Sequence, residues 1–194
     1  FAPAYHPAFK EIMPVRQQLA QEGKRTIFNI LGPMINPGSP AHQLTGVFAK
    51  DWVQPMAEAF HTLGLKNGWV VHTVLDEQRG IDELACCGTP VSTGFGNSWD
   101  QSIDWNWDGL HLTACPEEDL RGGDLDFNLN LLNKLLAGNA PKGLEDTVAL
   151  NAGVAFSIVG KAGSIAEGVA LAREQMLGGD VAHHLIKIRD FFAS

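Results

Sequence analysis

The sequence predicts an α/β fold with a mixed, largely parallel sheet flanked by helices, and three observations predict it. An apolar segment at 43–48, an amphipathic stretch at 51–63 and a second apolar segment at 68–74 follow one another as strand, helix and strand. That order is most simply a parallel βαβ unit with a right-handed crossover. Two alternating segments at 89–95 and 101–107, around Gly94, Gly96 and Asn97, read as a hairpin and so as an antiparallel part of the sheet. From Asp124 the apolar period turns helical and stays so to the end of the chain.

Before the first strand, Pro7 suits the first position of a helix, and Phe9, Met13 and Arg16 then fall at i, i+4 and i+7, with Arg16 beside an apolar stripe. Pro14 is expected to kink this helix, which runs to about Gln21 and breaks at Gly23. Residues 26–31 form an apolar segment closed by Gly32-Pro33, and 32–40 hold too many breakers for regular structure, which predicts a long shaped loop. Asp51 reads as a helix N-cap, with Trp52, Met56, Ala59, Phe60 and Leu63 as the buried stripe and Gly64 as the stop.

The loop 75–83 then lies beyond the carboxyl end of a strand, where ligands gather in open α/β sheets. Ile103, Trp105 and Trp107 alternate onto one face and read as packing residues ahead of a sugar-stacking platform. Phe127, Leu131, Leu132 and Leu135 mark a helix closed by Gly138, and 148–159 a second one. Ser164 to Glu167 is a capping box for a helix over 165–177, and Gly178-Gly179 separates it from a last helix ending near Phe192.

Composition narrows the function. With 45% apolar and 19% charged residues, the 194-residue chain packs as a globular domain. It has no apolar run near the roughly 20 residues a membrane span needs, and Lys10 and Glu11 argue against a signal peptide at the visible N-terminus. Net charge of −8, a pI near 5.2 and scattered basic residues argue against nucleic acid as the main ligand. Three cysteines, an odd number, favour a reducing compartment, so a cytoplasmic location is expected. Cys86 and Cys87 read as small buried hydrophobes ahead of metal ligands, and His183-His184 is an equally weak metal signal.

Several residues suit small-molecule chemistry. The planar guanidinium of Arg16 matches a carboxylate beside an apolar wall, although pairing with Glu11 or Glu22 would explain it equally. His6 sits where it either helps to cap the first helix or lines a pocket. Magnesium takes about six oxygens and is often held by one or two carboxylates plus substrate phosphates. Asp82-Glu83, after Gly80, and Asp76-Glu77 both offer such a pair, and their chemistry alone does not choose between them. The turn at Arg121-Gly122-Gly123-Asp124 is explained by a helix capped by Asp124, though it also suits a small anion nest. No Walker loop, nucleophile elbow or dinucleotide fingerprint is present in the sequence.

The strings His6-Pro7-Ala8-Phe9-Lys10, Pro14-Val15-Arg16, Arg25-Thr26-Ile27-Phe28-Asn29-Ile30-Leu31-Gly32-Pro33 and Gly80-Ile81-Asp82-Glu83-Leu84, in that order, resemble the anthranilate phosphoribosyltransferases. The resemblance extends over nearly the whole chain and implies a small helical domain on a larger α/β domain, the fold shared with nucleoside phosphorylases. Residues 1–40 would then be a helical-domain segment and hinge, and 41–194 the C-terminal part of the α/β domain. It implies transfer of phosphoribose from phosphoribosyl diphosphate to the amine of anthranilate, with release of diphosphate, in tryptophan biosynthesis. By the same likeness Arg16 holds the anthranilate carboxylate, His6 and Pro33 line that pocket, and Asp82 and Glu83 hold Mg2+.

A homodimer is implied for the full-length protein. The family's glycine-rich diphosphate loop has no counterpart in this sequence, so this chain alone is expected to be inactive. The connection 17–24 is longer than the family pattern, which would either shift Arg16 or bulge into solvent.

Overall fold

The computed structural model describes residues 5–24 and 26–193. The chain separates into two compact units, one ending at Ala41 and the other beginning at His42.

In the first unit the expected kinked helix is two helices. α1 (Pro7–Glu11) ends at Ile12, and α2 (Met13–Gln21) begins with Pro14 in its first turn, where a missing N–H costs nothing. Pro14 therefore starts a helix instead of bending one. Residues 17–21 continue α2, so the long connection is mostly helix; Gly23, at φ +68°, turns the chain out of it. The breaker-rich stretch is also more ordered than expected. A 3-10 turn at Ile27–Asn29, closed by a reciprocal Thr26–Asn29 capping box, leads into the short α3 (Leu31–Met34), which contains Gly32 and Pro33.

The second unit is built on a mixed sheet. β1 (His42–Gly46) runs parallel to β2 (Asn67–Val74) from Asn67 to Val71. β3 (Gly80–Ile81) then takes over the same side of β2, antiparallel, opposite Thr73 and Val74. β4 (Thr89–Gly96) lies antiparallel along the whole other side of β2. The parallel part is thus smaller than expected and confined to β1–β2. The connection 75–79 is far shorter than the dozen or so residues a parallel crossover needs, so the chain returns antiparallel.

Helices cover both faces. α4 (Val53–Thr62) buries Val53, Met56, Ala57 and Phe60, and the Phe60 ring meets Phe95 of β4 at 5.0 Å. On β2, Trp69 and Val71 join the core under α6 (Lys142–Ile158) and α7 (Ile165–Leu177), while Val70 between them is buried on the opposite face. That core also takes in Leu84, Leu150, Val154 and Val169.

α5 (Leu125–Leu136) and α8 (Asp180–Ala193) complete the unit. Asp124 caps α5 through the Phe127 N–H, and Ser164 caps α7 through the Glu167 N–H, both as expected. Glu167 reaches back to the Gly163 N–H. Among the described residues no helix is long and apolar enough to cross a membrane.

Three expectations are corrected. Asp51 caps nothing: it lies inside a 3-10 turn, Lys50–Trp52, that precedes α4, and Trp52 and Leu63 are exposed. Residues 101–107 are not a strand. Successive turns between Phe95 and Gln101, with Asp100 at φ +62°, carry the chain off the edge of β4. Ile103, Trp105 and Trp107 still alternate onto the core, held by burial and by Trp105 Nε1 donating to Ser92 Oγ at 3.2 Å. On α5 only Leu135 of the expected stripe is buried, and Phe127 and Leu132 face solvent.

Candidate functional site

In the first unit, three ring contacts organise the neighbourhood of Arg16. Its guanidinium lies 5.6 Å over the Phe9 ring, which meets Phe28 edge-on at 5.8 Å and His6 at 6.0 Å. Phe9 is buried, so half-buried Arg16 stands against an apolar wall. Among the described residues Arg16 forms no salt bridge, and Glu22 is paired with Lys24 at 2.7 Å. The pairing that would have explained Arg16 away is therefore not made. Arg16 lines an open cavity of ≈ 240 Å³, shared with Met13, Lys24 and Asn29.

His6 precedes α1 without capping it by its side chain. Its Nε2 instead donates to the Ile35 carbonyl at 2.7 Å, tying the start of α1 to the residue after α3. Pro33 lies half-buried on α3 and is not among the residues lining the Arg16 cavity. Arg25, which belongs to the sequence motif, lies outside the described residues.

In the second unit, Asp82 and Glu83 follow β3 at the carboxyl end of β2. Their backbone is fixed from three sides. The Asp82 backbone passes so close to Gly46, the last residue of β1, that no side chain fits there. Thr73 Oγ1 donates to the Glu83 carbonyl at 2.7 Å and accepts the Ala85 N–H at 2.9 Å. Asn151 of α6 donates to the Leu84 carbonyl at 2.7 Å and accepts the Leu84 N–H at 3.2 Å. One helical turn earlier, Thr147 Oγ1 accepts the Cys86 N–H at 3.3 Å.

Sequence reading missed Thr73, Thr147 and Asn151. The available signal was two polar residues at i, i+4 inside an otherwise apolar helix, Thr147 and Asn151.

The carboxylates themselves remain exposed. Desolvation by the adjoining wall, and then the Asp82 charge, raise the Glu83 carboxyl above its usual range. No salt bridge to either acid is present among the described residues. Glu83 also lines an open cleft of ≈ 370 Å³ with Glu117, Arg121 and Thr147.

Asp76 is committed elsewhere. It accepts the N–H groups of Gln78 and Arg79 at 2.9 Å each and pairs with the Arg79 side chain at 2.8 Å, which together hold its carboxyl below the usual range. Arg79 also pairs with Glu117 at 2.8 Å. Among the described residues no group of three or more His, Cys, Asp or Glu side chains is arranged to hold a metal ion. Two carboxylates without a third protein ligand suit magnesium only when phosphate oxygens and water fill the rest of its shell.

The chain is similar to known proteins over nearly its whole length. The model of the glycosyl transferase family a/b domain matches residues 1–182. Anthranilate phosphoribosyltransferase from Bradyrhizobium sp. strain BTAi1 is 37% identical over 191 residues, covering 97% of this chain and 54% of the relative. The enzyme of the same name from Persephonella marina is 38% identical over 192 residues, covering 98% and 54%. Among solved structures, anthranilate phosphoribosyltransferase from Thermus thermophilus superposes with a TM-score of 0.82 at 39% identity, covering 97% of this chain and 54% of that one. A Saccharomyces cerevisiae anthranilate phosphoribosyltransferase in complex with PRPP and Mg shares the fold, with a TM-score of 0.74 at 19% identity and coverage of 92% and 49%. The chain spans about half the length of the curated relatives it matches. With the family model matching nearly the whole sequence and the fold shared throughout, the chain belongs to the glycosyl transferase family and carries its a/b domain.

Proposed function

We propose that this chain is the C-terminal part of an anthranilate phosphoribosyltransferase, which moves phosphoribose from phosphoribosyl diphosphate to the anthranilate amine and releases diphosphate in tryptophan biosynthesis. The observation that carries the reading is the Asp82-Glu83 pair: two exposed carboxylates without a salt bridge among the described residues, on backbone clamped by Thr73 and Asn151. Adjacent carboxylates not paired with a cationic side chain leave their oxygens available to a divalent cation. In this reading residues 1–40 supply the acceptor-binding segment and 41–194 the diphosphate-binding domain.

Asp82 and Glu83 would hold Mg2+, which when bound neutralises charge on the diphosphate leaving group. Arg16 pairs with the anthranilate carboxylate and aims the weak aryl amine, and the Phe9 ring under the guanidinium limits its freedom. Under this reading His6 and Pro33 also contribute to the acceptor site, from outside the cavity that Arg16 lines. His6 is held for this by its bond to Ile35. No side chain is assigned as general base, because positive charge on the ribose and departure of diphosphate drive the step. The reading extends to a cytoplasmic homodimer, which sedimentation of the intact protein checks.

The test is loss of anthranilate fluorescence with phosphoribosyl diphosphate and magnesium, using the protein in the longest form in which it is expressed. Magnesium-dependent loss is expected, and its absence at every magnesium concentration overturns the reading. Arg16→Ala is expected to raise the anthranilate KM roughly tenfold or more while changing kcat little, the loss of one charge-assisted pair.

A further inference from the structure

Three free cysteines lie in one place in the second unit, although only two are neighbours in sequence. The Cys115 N–H donates to the Cys86 carbonyl at 3.2 Å, which sets residues 86–87 and residue 115 side by side. The turn at residues 86–87 then separates the two adjacent thiols. Cys86 is buried in the core beside Thr147, whereas Cys87 is half-buried and neighbours the half-buried Cys115 thiol. Backbone already joined by a hydrogen bond and thiols that neighbour each other need little movement to reach the short separation of a disulfide.

We propose that Cys87 and Cys115 are a modification site, a thiol pair that an oxidant of the hydroperoxide class converts to an intramolecular disulfide while Cys86 stays reduced. The Cys87 thiolate attacks a peroxide oxygen, the O–O bond breaks, and Cys87 becomes a sulfenic acid while the departing oxygen takes the thiol proton and leaves as water. The Cys115 sulfur then attacks the Cys87 sulfur. The S–O bond breaks, the S–S bond forms, and the hydroxyl leaves as a second water with the Cys115 proton. Two electrons pass from the two sulfurs to one hydrogen peroxide, and two waters are formed.

The surroundings set the pace of the reaction. Burial and the neighbouring acids Glu117, Asp119 and Asp146 disfavour thiolates here, with Arg173 acting the other way on Cys86. Cys115 is pushed up to about 12 and Cys86 to about 11, while at Cys87 its own backbone N–H first, and then Cys115, partly offset the rise. Cys87 is taken as the attacking thiol and Cys115 as the resolving one, and because burial raises both thiols the reaction is slow at neutral pH and faster in alkali.

The experiment treats the native protein with hydrogen peroxide at neutral and alkaline pH, then counts thiols with a maleimide after denaturation. Of three thiols, two are consumed and one remains, faster at the higher pH, and dithiothreitol restores all three. Fragment mass spectrometry places the crosslink between Cys87 and Cys115, and Cys86→Ala keeps it. Cys115→Ser gives no crosslink and leaves a Cys87 sulfenic acid that dimedone traps. The disulfide closes the loop 87–115 and is expected to raise the thermal midpoint by roughly 5 °C. Three thiols surviving peroxide, a crosslink at Cys86, or one between two chains each overturns the proposal.

Discussion

A carboxylate beside another carboxylate and against a protein wall is harder to keep charged than a free one, and Glu83 is in that position. Its folded-state pKa is raised, so the protonated form favours folding, and that contribution disappears as pH rises through the raised value. At neutral pH the charge therefore works slightly against the fold. Glu83→Gln is expected to raise stability by no more than about 0.5 kcal/mol, because the side chain is solvent-screened. The same change is expected to abolish most magnesium-dependent turnover, so urea unfolding and a magnesium titration should move in opposite directions. In the parent protein, magnesium binding should weaken on acidification within a range above that of an ordinary glutamate. Asp76 behaves in the opposite sense: the Gln78 N–H first, then Arg79, lower its carboxyl, so its contribution is present above the unfolded pKa and lost as pH falls through the folded one. The sequence offered two similar acidic pairs, and what separates Asp76 from Asp82 is a set of turn hydrogen bonds with no sequence period to announce them.

At the scale of elements, a loop is only as firm as what its backbone bonds to, and Thr73 and Asn151 link residues 83–85 to a strand and a helix. Thr73→Val keeps the volume but leaves the Glu83 carbonyl and the Ala85 N–H without this partner, a loss of about 1–3 kcal/mol measurable by urea denaturation. α6 and α7 are joined by a second polar device. Asp146, fully buried, pairs with Arg173 and with Lys142 at 2.7 Å, and accepts the Thr113 N–H at 3.0 Å. Arg173 also donates to the His111 carbonyl at 2.9 Å, so this device holds the irregular segment before residue 113. Asp146→Ala is expected to cost about 3–5 kcal/mol, read as a fall in thermal midpoint, since it strands a partly buried guanidinium. Helix limits were legible because caps are local: Asp124, Ser164, Gly64 and Gly138 each mark an end that the structure shows. The segment 101–107 was not, since alternation reports burial on one side and cannot tell a paired strand from an extended chain held by its side chains.

Across the whole molecule, apolar surface is distributed unevenly. Leu125 and Phe127 on α5 and Phe191 and Phe192 on α8 are exposed, the last two at 74% and 82%. Phe191→Ser with Phe192→Ser should therefore change the unfolding free energy by no more than about 0.5 kcal/mol, against about 2–5 kcal/mol for Leu150→Ala in the core, with urea midpoints separating the two. The class of fold was legible because strand, helix and strand follow in order before a helical second half. The proportion of parallel pairing was not, because it depends on which side of β2 each later strand joins. β2 is bonded on both sides along most of its length, by β1 then β3 on one edge and by β4 on the other. Its amides should consequently be among the last to exchange with deuterium, opening only when the unit unfolds as a whole. Since Thr73 of that strand carries the backbone of Glu83, the carboxylate pair inherits this slow clock, and its geometry persists on the timescale of global unfolding instead of loop fraying.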